Sequence, residues 1–405
     1  MMKRIALGVL MLPLLVAGAA SGVTIEWWQF WTDPTVKPVI ESMVEDFERQ
    51  NPEIDVQLTD LTWANGHEKI VLAFASGTAP DVLELGSDWI AQFADNGHLA
   101  DMGGMVADDS GQFQGWGMST YKDGVYGHPW ILGTRILFGN RGLMLEAGGG
   151  SNWYPVQWDS LLHAAVQIDK LGPDIYGWGS NTAEKHRLYN KFLPFFWSAG
   201  AQIFSEDGSM CLLASSQAVA ALELYKTLHD TAGYVDNQRG IEDAFLDSRV
   251  GFIISGDWLL KRIKQEQRDI DLISAYVPGP RFPGNSFMGG EFLSISAQSE
   301  HKEAAMKLIS FVASPENQVK FCRANFSTCP SSVVAQEDPF FESSVHIQTF
   351  VKSLNSAKHP PVDPDWVYIE DIIEEAVERV LFEDVRPADA LLEARYKVDE
   401  LKGLE

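Results

Sequence analysis

The chain has 405 residues, 45% of them apolar and 21% charged, with a net charge of −25. This composition excludes a disordered or multi-span protein, and the length exceeds what one ordinary core holds, so two lobes or domains are expected. So acidic a surface repels nucleic acid and anionic lipid, although a locally basic pocket stays compatible with a small anionic ligand.

At the N-terminus, Lys3 and Arg4 precede an apolar run from Ile5 to Ala17, followed by "AGAASG". Positive, apolar, small is the order of a secretory signal, here residues 1–22, and the run is too short to span a bilayer comfortably. The alternative is a permanent N-terminal anchor. No cysteine follows the cleavage region, so the reading is a freely diffusing, exported, periplasmic protein, expected to be a monomer. Loss of Lys3 and Arg4 takes its charge to −27.

The mature chain opens strand–helix–strand. Thr24 to Trp28 is rich in β-branched and aromatic residues and predicts a strand. Val36, Ile40, Met43, Val44 and Phe47 recur at helical spacing until Asn51-Pro52. "EIDVQL" alternates as a half-buried strand, and a second helix fits His67 to Ala75. In "GTAPDVLEL", Gly77 ends that helix and Asp81 to Leu85 predicts a buried strand. Further on, helices are predicted over Trp158 to Gly172, Ser215 to Gly233, Val367 to Phe382 and Ala388 to Leu401. Arg249 to Trp258 reads as a strand entering a turn, and Glu291 to Glu316 as a strand, a turn and a helix. Alternating strands and helices give an α/β class with parallel sheets. Of three cysteines, Cys322 and Cys329 lie close enough in sequence for a local disulfide; the other reading is three small apolar core residues, Cys211 included. No spacing fits a metal site, and no metal or other cofactor is expected.

Four stretches together resemble one family. They are "ASGTAPDVLELGSDWIAQFADNGHLADM", "VYGHPWILGTRILFGNRGLMLEAG", "FLDSRVGFIISGDWLLKRI" and "FMGGEFLSISAQSEHKEAAMKLISFVASPENQVKF". In that order they are similar to the periplasmic solute-binding proteins of sugar ABC importers, the maltose-binding-like group, over roughly residues 24–405. The resemblance implies two doubly wound α/β lobes joined by crossing strands, with a sugar bound in the cleft between them. Crossings are placed near Ile131, Met288 and Glu337. The lobes then comprise 23–131 plus 288–336 and 132–287 plus 337–405.

A sugar presents apolar C–H faces and a rim of hydroxyls, which call for aromatic rings and for carboxylates, amides or arginine. In open α/β sheets the ligand sits beyond the carboxyl ends of the strands. After the first strand stand Trp27, Trp28, Phe30 and Trp31; alternation sends Trp27 and Trp28 to opposite faces, and Trp28 and Trp31 are the candidates for the cleft. Trp63 follows the second strand. Ser87, Asp88 and Trp89 follow the third, where Asp88 matches the family's cleft aspartate or, alternatively, caps a helix. Trp130, Thr134 and Arg135 lie at the first crossing, and Arg135 departs from the family's acidic or small residue. Trp197, with Tyr189 and Asn190 nearby, borders the cleft or packs in the core. Trp258 matches a family stacking ring. Gly289 and Gly290 permit close backbone approach to a ligand, Glu291 accepts hydroxyls, and Trp366 resembles another stacking ring or packs on its proline-rich turn.

This surplus of tryptophans at strand ends suits an oligosaccharide. The functional expectation is a non-catalytic sugar-capturing protein that delivers its ligand to membrane permease subunits. Two alternatives are the same fold binding a sugar or polyol phosphate, with Arg135, Lys185, His186 and Arg187 as the cations, and a secreted glycoside-acting enzyme. The enzyme would need two carboxylates about 5 or 6.5–9.5 Å apart, and no motif marks such a pair.

Overall fold

The computed structural model describes residues 22–404 apart from 110, 152, 182, 183, 185, 186, 282, 283, 327 and 328. The expected signal, up to residue 21, and the candidates Lys185 and His186 therefore lie outside the described residues. Among those described, no helix is long and apolar enough to cross a membrane.

The chain begins with β1 (Val23–Gln29), β2 (Ile54–Asp60) and β3 (Val82–Gly86), connected by the helices Lys37–Gln50 and Gly66–Ser76. Burial alternates along β1: Ile25 and Trp27 are enclosed, while Glu26 and Trp28 on the opposite face are half-buried, as a period of two requires. Gly77 ends the second helix at φ 70°, a left-handed conformation that a side chain disfavours. A small hairpin of β4 (Thr120–Tyr121) and β5 (Gly124–Val125) leads to β6 (His128–Thr134), and after Arg135 alone β7 (Ile136–Asn140) begins. Then follow β8 (Tyr176–Asn181), β9 (Gly233–Asp236), β10 (Val250–Ser255) and β11 (Leu272–Ala275), the long β12 (Ser286–Ile295), and the short β13 (Cys329–Pro330) and β14 (Ala357–Lys358).

These strands form two main sheets, one per lobe. The first runs β13-β6-β12-β3-β1-β2, with β14 added beside β12, and the second runs β11-β7-β10-β8-β9. β1, β2 and β3 are parallel, and β12 lies antiparallel between β3 and β6. In the second sheet β10, β8 and β9 are parallel, with β7 antiparallel to β10 and β11. Helices pack both faces of each sheet, so the two-lobed α/β architecture is the one expected. The long β12 exists because Gly290 has no side chain: a Cβ there would lie 2.6 Å from the Ile131 carbonyl oxygen of β6.

The passage between sheets is stitched. The Arg135 amide, alone between β6 and β7, donates to the Phe287 carbonyl (3.3 Å) and to Ser286 Oγ (3.1 Å) at the start of β12. Two crossing segments thus run side by side at Arg135. Cys322 on the helix Pro315–Asn325 and Cys329 on β13 are both enclosed free thiols, as is Cys211. The local disulfide is not formed: Cys329 is held in the sheet opposite Leu132, and Cys322 points into the apolar core of the same lobe. Burial raises both thiols well above their ordinary range.

Candidate ligand-binding site

Parallel strands release the chain at one edge of their sheet, so the residues that follow β1, β2 and β3 meet there. Phe30 and Trp63 stack with centroids 4.2 Å apart and planes at 19°, and Trp63 leans on Trp89 at 5.4 Å. Trp63 is 41% exposed, whereas Phe30 and Trp89 beneath it are buried. The result is an aromatic shelf with one ring offered outward. Gly66 makes room for it, since a Cβ there would fall 2.3 Å from the Phe30 ring. From β3, the enclosed Glu84 accepts the Phe30 amide at 2.9 Å and fixes the turn. Burial, with Glu291's negative charge added, raises the Glu84 carboxyl well above the usual carboxylate range.

Asp88 borders this shelf. Its carboxylate folds back over the end of β3: a Cβ on Gly86 would lie 2.5 Å from Asp88 Oδ1 and 3.7 Å from the Trp63 ring. The helix Ile90–Asp95 has Trp89 at its N-cap position and no side-chain cap, so Asp88 is not its cap. Asp88 and Ser87 line a small crevice with Met118 and residues 359–362. Glu291 of β12 stands opposite Gly86, and the Ser87 amide donates to the Gly290 carbonyl at 2.9 Å. Burial moves the Glu291 carboxyl up to about 7 against the pull of Arg135's charge.

The second lobe contributes Trp258, which opens the helix Trp258–Gln265 just beyond β10. The Arg135 guanidinium lies 4.6 Å, and Lys191 Nζ 5.3 Å, from its ring centroid. Its indole N–H donates to Glu242 Oε1 at 2.6 Å. Glu242 is itself buried and accepts from Ser255 Oγ (2.9 Å), Gln238 Nε2 (2.5 Å) and Arg262 Nη1 (2.8 Å). Gly256 is needed because a Cβ would sit 1.9 Å from the Trp258 ring. Asp257 is also buried, and its Oδ2 makes no hydrogen bond. Burial pushes its carboxyl up to about 8, again opposed by Arg135 and assisted by Glu291. Tyr189 packs edge-on to Phe287 (5.6 Å) and Trp366 (6.0 Å), and burial raises its phenol well above the ordinary range. Asp88, Glu291, Arg135, Asp257 and Tyr189 thus act on one another electrostatically across the gap between lobes. Rings that pack on C–H faces beside carboxylates and a guanidinium that bind hydroxyls are the tools for holding a polyol.

Residues 33–319 match the family described as bacterial extracellular solute-binding protein. The chain belongs to this family. This solute-binding protein is 26% identical over 377 residues to a binding protein of Brucella abortus, covering 90% of each chain. It is 23% identical to the maltodextrin-binding protein MdxE of Bacillus subtilis, over 85% of this chain and 83% of that one. In structure it is similar to the sugar-binding protein MalE from Xanthomonas citri, with a TM-score of 0.83, 25% identity, and 93% and 97% of the two chains covered.

Of the residues expected at the cleft, the structure sets Asp88 and the exposed Trp63 at the strand ends of the first sheet, Glu291 opposite Gly86, and Arg135 against Trp258, with Trp89 beneath Trp63. Five tryptophans do not line the cleft. Trp130 is fully enclosed, edge-on to Trp27 (6.1 Å) and Trp31 (6.5 Å) and tilted on Phe321 (4.9 Å), because its face of β6 is the one the helix Pro315–Asn325 covers. Trp31 is drawn into that cluster, 4.9 Å from Phe321. Trp28 lies along β1 rather than beyond it, its N–H bound to Glu26 Oε1 at 2.7 Å. Trp197 stacks parallel to Phe287 at 6.1 Å inside the second lobe, and Trp366 is 1% exposed in the same core. Gly290 serves the approach of β12 to β6. Arg135 does not project freely; its Nη1 donates to the Thr134 carbonyl at 3.1 Å while its plane covers Trp258.

Three residues were missed. Asp257 precedes Trp258 in "SGDW", where its position after a strand was a readable signal. Lys191 stands alone in the apolar run "YNKFLPFFW", and an isolated lysine there is a signal too. Glu242 gave none, since a carboxylate on an amphipathic helix reads as surface.

Proposed function

We propose that this chain is the substrate-binding component of an ABC importer, exported to the periplasm, that captures a sugar, specifically an oligosaccharide, between its lobes and hands it to the membrane permease. The observation that carries the reading is the electrostatic link that runs from Asp88, beside the Trp63 shelf, through Glu291 and Arg135 to Asp257, next to Trp258. Two aromatic platforms on opposite lobes suit a ligand of more than one sugar ring. Family membership and the likeness to the sugar-binding protein MalE and the maltodextrin-binding protein MdxE support it. The protein works as a monomer and without catalysis: closing the lobes on the ligand, a hinge motion at the crossing strands, is its whole task.

Calorimetry against disaccharides to tetrasaccharides, with tryptophan fluorescence followed in parallel, tests it. One-to-one binding with a fluorescence change is the expected result. Neither heat nor fluorescence change across the panel defeats the reading, and release of reducing ends replaces it with a glycoside-acting enzyme.

A further inference from the structure

We propose that the cleft contains an anion-binding subsite, formed by Lys191 and Arg135 at Trp258, and that the saccharide held there carries a carboxylate or phosphate; this rests on reading the cleft as a sugar site. Lys191 is 1% exposed, on a helix whose neighbours Phe192, Leu193, Phe195 and Phe196 are all enclosed. Lysine is almost never buried so completely without an anionic partner, because desolvating an ammonium is costly. Yet Lys191 Nζ donates to the neutral Asn190 Oδ1 at 2.9 Å and otherwise faces the Trp258 ring. Arg135 has an enclosed Nε with no hydrogen-bond partner, and its Nη1 is bound only to a backbone carbonyl. Among the described residues, neither cation forms an ion pair within 4.0 Å. Both turn to the same indole, which offers each a fraction of what a carboxylate supplies.

The nearby carboxylates are otherwise engaged or weakened; Glu184, whose charge also acts on Lys191, accepts the Gln238 amide at 2.9 Å. Glu242 gives its oxygens to Trp258, Ser255, Gln238 and Arg262. Asp257 and Glu291 face Arg135, but burial leaves them with pKa values of about 8 and about 7, so neither supplies a full negative charge at neutral pH. Arg187 adds positive charge close to both Lys191 and Arg135. Elsewhere the protein compensates a sheltered cation fully: Arg262 is paired with Glu242, Asp243 and Glu266. At Trp258 the counter-charge is left to the ligand. A planar guanidinium fork and a lysine amine that a bound anion would recharge, both set against one indole ring, are the donor set for carboxylate or phosphate oxygens.

The test is calorimetry of the full chain with maltose, digalacturonate, glucose 6-phosphate and inorganic phosphate, repeated with Lys191→Met and Arg135→Gln. At least one anionic sugar is expected to bind about tenfold or more tightly than maltose, charged hydrogen bonds being the stronger kind. Each substitution is expected to weaken that anionic sugar far more than any neutral one. Preference for digalacturonate assigns the group as a carboxylate; preference for glucose 6-phosphate, or binding of inorganic phosphate, assigns it as a phosphate. If maltose binds as well as the anionic sugars and both variants weaken all ligands alike, the subsite is refuted while the sugar reading stands. Binding of inorganic phosphate that Lys191→Met abolishes, with no sugar bound, keeps the subsite and refutes the sugar reading. Circular dichroism verifies each variant's fold; if one variant fails to fold, the other and the wild-type ligand ranking still decide.

Discussion

The two lobes each bring an aromatic ring to the cleft, and they hold it by opposite means. Trp63 is positioned by packing: Phe30 stacks beneath it, Trp89 supports it, and among the described residues no cation lies over its ring. Trp258 is positioned by polar bonds, its N–H anchored on Glu242 and its ring approached by Arg135 and Lys191. A packed ring offers a sticky apolar face tolerant of what it meets. A bonded ring flanked by cations is tuned to a ligand's charge and orientation. On the proposed reading, the first lobe supplies affinity for a sugar face and the second supplies discrimination.

The sharpest way to break this contrast is at Glu242. Glu242→Ala removes the acceptor shared by Trp258, Ser255 and Gln238 and one of the three carboxylates on Arg262, and is expected to cost about 1–3 kcal/mol of stability in denaturant unfolding; Glu242→Gln, which keeps acceptor and donor, should recover most of it. Among the described residues no polar group anchors the Trp63 ring, so Trp63→Ala should leave the unfolding midpoint nearly unchanged while weakening sugar binding by about 2 kcal/mol or more in calorimetry, as loss of a central aromatic contact does. If Trp63→Ala destabilises the fold as strongly as Glu242→Ala, the distinction between packed and bonded rings fails.

The two carboxyls on which Arg135's charge acts predict a pH dependence of stability. Asp257 and Glu291 keep their protons up to about 8 and about 7 in the folded chain, against about 4 when unfolded. The folded chain holds more protons across that interval, so their contribution to stability declines as pH rises from about 4 to about 8. Lys191, whose amine burial and the neighbouring Arg135 and Arg187 hold well below its ordinary range, contributes the opposite slope towards alkaline pH. Asp257→Asn and Glu291→Gln should each flatten the fall between pH 5 and 8 in thermal unfolding, and an unaltered profile in both contradicts the assignment. The smallest effect belongs to Trp31, a core residue: Trp31→Phe is expected to lower stability by about 1 kcal/mol and to leave ligand affinity unchanged.

The sheet order near the N-terminus was legible because alternation in "TIEWW" and helical spacing from Val36 to Phe47 leave few other arrangements. The same alternation separated Trp27 from Trp28 correctly. It did not reveal that Trp31 turns back into the face of Trp27, because that depends on Phe321, almost three hundred residues later, coming to rest beside Trp130. Trp366 and Trp197, which the sequence left open between cleft and packing, are both enclosed in the core of the second lobe. Asp88, Trp63 and Trp258 each stand two or three residues beyond the end of a strand, which is where the sequence predicts cleft residues. Lys191 and Glu242 became meaningful only when tertiary structure set them against Trp258.

The most direct test of a single site built from both lobes is one titration series: the tightest-binding sugar of the panel against the wild-type chain, Trp63→Ala and Trp258→Ala, followed by calorimetry. One ligand per chain, with affinity lowered about tenfold or more by each substitution, is the predicted result. A sugar that binds with undiminished affinity when either ring is removed would place its site elsewhere and contradict the interlobe cleft.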